Sequence, residues 1–224
     1  MIKHFLSNTS LFSALLLLLL LLLLSSPSHL SAASEQSWTP SKQKGDIRSY
    51  TRSVPDSKYK AIRGETTLPI STARLFAAIN DAPACPEWAD TCKESYIFEE
   101  ISKHEFYIYT LNDFPWPVKD RDVLAHVVWS QNEEGSIIMH SQAVENKIEN
   151  KKGVVRINLA SARWNFTPLD NGSTLASFEI HMDPNGKIPG WLLNRLILNS
   201  PFSTFENLAK QAAKDKYSDA RLPF

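Results

Sequence analysis

The chain is poor in glycine and cysteine and carries no surplus of either charge. Seven glycines in 224 residues are too few for a glycine-rich or collagen-like chain. Two cysteines exclude a multi-bridge disulfide scaffold and a four-cysteine zinc site. The 24 basic side chains are matched by 24 acidic ones, so the basic surplus with which a nucleic-acid protein offsets phosphate repulsion is missing. No Gly-x-Ser-x-Gly, phosphate-binding glycine loop or dinucleotide fingerprint occurs. His104, His126, His140 and His181 stand singly, with no second ligand two to four residues on, and read as surface or satisfied histidines. No catalytic residue, metal or cofactor is therefore expected. What the chain does have is 43% apolar and 10% aromatic content, ample surface to bury and unlike a disordered sequence.

One long apolar run stands at the start. Lys3 and His4 precede Leu11 to Leu24, which includes ten consecutive leucines, and Ser31-Ala32-Ala33 follows. A charged start, an apolar middle and small residues at the cut make a secretory signal peptide over residues 1–33. As a helix the run reaches about 21 Å, short of the roughly 30 Å hydrocarbon core; an uncleaved anchor is the alternative. Cleavage near Ala33 leaves 191 residues, periplasmic or secreted, enough for one sizeable core. An oxidising compartment favours joining Cys85 to Cys92 across Pro83-Ala84-Cys85-Pro86-Glu87-Trp88-Ala89-Asp90-Thr91-Cys92. Closing that loop contributes about 2.5 kcal/mol on the chain-entropy model. Two buried thiols are the other possibility.

From Ile47 onward the period is that of strands. Apolar and polar residues alternate over Ile47 to Val54, Tyr59 to Leu68, Ser95 to Ile101, Glu105 to Leu111 and Asp122 to Ser130. The same pattern continues over Ser136 to Ala143, Gly153 to Ala160, Arg163 to Thr167 and Ser173 to Met182. Short turns at Glu133-Glu134-Gly135 and Asp170-Asn171-Gly172 make the middle of the chain an antiparallel meander. Ser71 and Thr72 start a short helix carrying Leu75, Phe76 and Ile79. A second helix begins at Pro189 and runs towards Lys214, with a kink or break expected at Pro201 and a loose tail over residues 217–224. About nine antiparallel strands curled around one long C-terminal helix is an α+β, helix-grip architecture.

Phe114-Pro115-Trp116-Pro117 followed by Arg121-Asp122 resembles the Pro-Trp-Pro, then Arg-Asp, signature of START domains, the steroidogenic-acute-regulatory-related lipid-transfer family. Ile47 to Arg52 behind Trp38, Pro86-Glu87-Trp88 before Cys92, and Asp183 to Asn194 with Gly186, Ile188-Pro189 and Trp191-Leu192 agree in order and spacing. The resemblance covers roughly Trp38 to Ala213, and the domain is taken as residues 34–216. It implies a cavity between sheet and helix that holds one lipid or sterol-like molecule, transient contact with a membrane surface, a monomer and no nucleic-acid partner. The chemistry on the same superfold that would make it an enzyme, that of a polyketide cyclase or small hydrolase, needs polar groups inside, and only His126, Tyr107 and Tyr109 offer themselves.

Period-2 faces nominate the lining: Val123, Ala125 and Val127; Met139; Ile157 and Leu159; Phe178 and Ile180; with Leu193, Leu196, Ile197 and Phe205 opposite on the helix. Such faces ordinarily fill a core; the cavity is what the resemblance implies. Some sterol-binding relatives carry a buried acid–arginine pair there. The matching positions fall near Val127 and Ile108, both apolar, so a phospholipid, a fatty acid or a more uniformly apolar ligand fits at least as well as a sterol. A slip of one residue would instead turn His126 inward. Ligand access is expected where Asn199-Ser200-Pro201 breaks the helix and at a strand loop facing it. Arg121 and Asp122 read as structural charges that tie a loop to the sheet edge.

Overall fold

The computed structural model describes residues 37–224, apart from the side chains of 190, 191 and 193–198. The leader therefore lies outside the described residues. Ten strands form a single sheet: β1 (Thr39–Lys44), β2 (Ile47–Arg52), β3 (Ala61–Leu68), β4 (Cys92–Ser102), β5 (Glu105–Asn112), β6 (Arg121–Gln131), β7 (Ile137–Ala143), β8 (Val155–Arg156), β9 (Leu159–Pro168) and β10 (Thr174–Asp183). Their order is β1-β2-β3-β10-β9-β7-β6-β5-β4, antiparallel along the whole path, with the two residues of β8 added in parallel to β6. Helix α1 (Thr72–Asn80) carries the chain from β3 towards the far edge, and the meander then returns to close β10 against β3. Helix α2 (Gly190–Ala212) packs against β1, β2, β3 and α1. The curved sheet and its helix are the helix-grip arrangement that the periodicity implies.

Three departures from the sequence reading have physical causes. Strand β1 was not expected because every residue of Thr-Pro-Ser-Lys-Gln-Lys is exposed. It is an edge held by backbone pairing to β2, and such pairing leaves no alternation to read. The proposed strands Gly153 to Ala160 and Arg163 to Thr167 are really β8 and one continuous β9, because the chain leaves β6 near Asn158 and then joins β7. Helix α2 continues through Pro201 without a break. Pro201 is fully buried, and a β-carbon built on Gly64 would stand 3.1 Å from its Cβ and 2.9 Å from Phe205. Glycine in β3 lets helix and sheet approach this closely, so the proline packs the interface.

The tail is docked, against expectation. Tyr217 is buried and donates a hydrogen bond to Asp81 (2.8 Å), which also accepts one from Lys216 (2.9 Å). Arg74 of α1 reaches the Ala212 and Lys214 carbonyls at the end of α2. Cys85 and Cys92 are joined, and the loop they close pairs Asp90 with Asn207 and Glu87 with Lys214. Burial pushes the Asp81 carboxyl up, but the bonds from Lys216 and Tyr217 outweigh it and hold the group below its ordinary range. A depressed carboxylate stabilises above its unfolded value and loses that stabilisation as pH falls through the folded one. Amide exchange at Tyr217 and Ser218, taken relative to its intrinsic rate at each pH, should therefore accelerate on acidification below the ordinary carboxylate range. In Asp81→Asn it should be fast at neutral pH and free of that step.

Candidate functional site

Strand register sorts side chains onto two faces. Phe178 faces α2, because the space above Gly64 is closed by Phe178 and Phe205. Cross-strand partners share a face, so the row Phe178, Trp164, Met139, Trp129 points inward. With Phe76, Phe166 and Phe205 these side chains form a continuous plug: ring centroids lie 4.8 Å apart for Phe76–Trp129, 5.0 Å for Trp164–Phe178 and 5.3 Å for Phe178–Phe205. All are buried. This end of the interior is a filled core.

Two residues further along each strand the composition changes. The next inward row is Ile62, Ile180, Ala162, Ser141 and Val127, followed by Met182 and Ala160, and by Ala143, Ala125 and Ile108. Small side chains replace rings. Ile180, Met182, Ala160, Ala162, Ser141, Ala143 and Val123 keep part of their surface accessible although they face inward. Above this half runs the first part of α2. The inner face is thus closed by rings at one end and lined by small, partly accessible side chains at the other, with Ser141 and the Ser95–Thr110 hydroxyl pair among its polar groups.

Of the nominated lining, Val123, Ala125, Val127, Met139, Phe178 and Ile180 lie on the inner face, the first three and Ile180 toward the half lined by small residues, while Phe205 belongs to the plug. Ile157 is buried, its N–H bonded to the Asp122 carbonyl. Leu159 is misplaced: it pairs with Asp183 on the outer face and is 51% exposed, because the change of partner near Asn158 reverses the phase that Val155 and Ile157 set. The side chains of Leu193, Leu196 and Ile197 lie outside the described residues. Ala143, Ala160, Ala162 and Ser141 were missed, although Ala-Ser-Ala at 160–162 is a visible alternation of small residues.

The polar groups considered for catalysis face outward. His126 bonds Glu105 (2.9 Å) and stacks on Tyr107. Tyr109 donates to Asp122 (3.1 Å); burial raises its pKa, which keeps it a donor. Asp122 in turn holds Arg156 through both oxygens, at 2.8 and 2.9 Å, and Arg156 reaches the Ile148 and Glu149 carbonyls. This buried pair fastens the segment between β7 and β8 across the outer side of β5, where Lys147 and Lys151 lie over Tyr107 and Tyr109. Arg121 bonds the Lys119, Pro184 and Asn185 carbonyls and so joins the β5–β6 loop to the approach to α2. Both charges are loop tethers. Among the described residues no cluster of histidine, cysteine and acid side chains is arranged to hold a metal.

Comparison with known proteins bears on this arrangement. A START domain family model matches residues 28–211. An uncharacterized protein of Pseudomonas aeruginosa is 30% identical over 179 residues, 80% of this chain and 88% of that one. A crystal structure of a STAR-related lipid transfer protein fragment from Xanthomonas axonopodis is similar at 29% identity and TM-score 0.73, covering 79% of this chain and 99% of that one. Human StAR-related lipid transfer protein 5, at 16% identity and TM-score 0.70 over 91% and 95% of the two chains, shares the fold.

Proposed function

Because this chain belongs to the START domain family, we propose that it binds one lipid, or a comparably apolar molecule, between sheet and α2 and carries it without chemical change. The observation that carries this reading is the change of lining along the inner face: Ala143, Ala160, Ala162 and Ser141 stand on it by register and are only partly buried, beside the aromatic plug. Apolar walls that exclude water hold an apolar guest at about 25 cal/mol per Å² buried. The similarity, at 29% identity, to a STAR-related lipid transfer protein supports the same class. His126, Tyr107 and Tyr109, the groups that a cyclase-like or hydrolytic reading would use, face outward. The leucine run ahead of the domain supports export, so we place the carrier in a periplasm or outside the cell, in transient contact with a membrane surface.

Native mass spectrometry of the purified protein tests this directly. The expected spectrum shows one lipid-sized adduct that organic extraction removes, on a chain shortened to 191 residues by cleavage near Ala33. A chain that stays free of ligand after incubation with a total lipid extract overturns the carrier reading.

A further inference from the structure

The outer face of the sheet, turned away from α2, carries a recess of about 270 Å³ that spans β6, β7, β9 and β10 and reaches Arg52 of β2. Strand register makes it. Gln142, Ser161 and His181 stand level on this face, and Arg52 stands across from Ala61. In the adjoining row Val128, His140, Arg163 and Glu179 come level. Two short side chains, Ser161 and Ala61, among long neighbours leave the hollow. Its floor is strand backbone at Ser141, Ala162 and Ile180, whose side chains point to the other face.

The charge around this recess is unbalanced. Arg163 is exposed and stands directly across from Glu179, which supplies the lining's carboxylate, yet the two form no ion pair among the described residues. Glu179 instead lies 4.0 Å from Arg63 of β3, outside the recess. Arg52 has no carboxylate partner among the described residues either, and its guanidinium lies 4.5 Å from the centre of the Trp38 ring. Two guanidinium groups thus face the hollow without a counter-ion, and its acid is already engaged by a third. Gln142, Ser161 and the imidazole of His140 add donors that carry no fixed charge. Forked N–H donors with few competing acceptors suit an anion that presents several oxygens. The volume lies below the roughly 300–1,000 Å³ of pockets that take drug-sized molecules, so the guest is small.

We propose that this recess binds a small phosphate-bearing anion, inorganic phosphate or a soluble phosphate monoester. Arg163 is the fork that pairs with the phosphate oxygens, with Ser161 and His140 beside it and Arg52 at the opposite rim. The site is on the face opposite to the interior and does not rest on the carrier reading.

Calorimetric titration of the purified protein with inorganic phosphate and with glycerol 3-phosphate, at an ionic strength held constant with chloride, tests the site. Saturable binding of one anion per chain is expected. Arg163→Ala should weaken it about tenfold, the lower end for hydrogen bonds to a charged group. Ser161→Phe sets a ring in the hollow and should abolish binding. Arg48→Ala removes the same charge from the same sheet face outside the recess, and should leave affinity within about twofold because solvent screens the more distant charge. Denaturation midpoints show that each variant is folded; Arg163 is exposed, so its truncation reads the site even where the added ring disturbs packing. Absence of saturable binding with both anions overturns the proposal. Binding that Arg163→Ala leaves unchanged, or that Arg48→Ala weakens equally, overturns it too. Tighter binding of glycerol 3-phosphate supports the site with an esterified guest, and tighter binding of inorganic phosphate supports it with the free ion. Lipid adducts in the native mass spectrum enter none of these outcomes, so the carrier reading stands or falls separately.

Discussion

Asp122→Ala is expected to destabilise the domain by about 3–5 kcal/mol, because it leaves the Arg156 guanidinium buried without its partner. Asp122 is 1% exposed and accepts three hydrogen bonds, two from Arg156 and one from Tyr109. The same guanidinium ties down the segment before β8 through the Ile148 and Glu149 carbonyls. Against a typical total of roughly 5–15 kcal/mol the loss is large; for a domain of this size it lowers Tm by roughly 6–20 °C. The double change Asp122→Leu with Arg156→Met should recover much of it, since a buried ion pair replaced by apolar side chains of similar volume is often neutral. Urea denaturation of the two variants decides the point. A single variant within 1 kcal/mol of the parent would show the pair to be solvated and the tether to be weak.

What the sequence allows one to read follows from the range of the interaction involved. The faces of β6 and β10 were legible because Val123, Ala125 and Val127, or Phe178 and Ile180, repeat every second residue, and that period is local. Helix α1 was legible from its cap position and from Leu75, Phe76 and Ile79. Strand β1 was not, since pairing through the backbone alone writes nothing into the side chains. The inward phase of Leu159 failed for a related reason: alternation gives parity within a strand, not the point at which one strand ends and the next begins. The docking of Tyr217 joins residues 136 positions apart, and the Asp122–Arg156 pair residues 34 apart, so neither leaves a local mark. The division of the inner face into an aromatic half and a half of small residues is a further step removed. It depends on which rows of five strands come level, and only register supplies that.

The same division makes Ala162→Phe the sharpest test of function. Ala162 stands inward between Ser141 and Ile180, two residues from Trp164 and the start of the aromatic plug. In a filled core, the added ring overpacks the site and costs about 1–3 kcal/mol of stability. In an unfilled half it meets open space, folding stability changes little, and the ring takes up room for about four methylenes of a bound chain. At about 0.8 kcal/mol for each methylene no longer buried, ligand affinity falls by roughly 3 kcal/mol, on the order of 100-fold. Stability and affinity thus move in opposition between the two alternatives. Ser161→Phe supplies the control, because the neighbouring residue faces outward beside His181 and Gln142, and a ring there leaves lipid binding unchanged. Denaturation midpoints together with displacement of a fluorescent fatty acid measure both quantities on the same samples. A destabilised Ala162→Phe that still binds lipid as tightly as the parent would place the guest elsewhere.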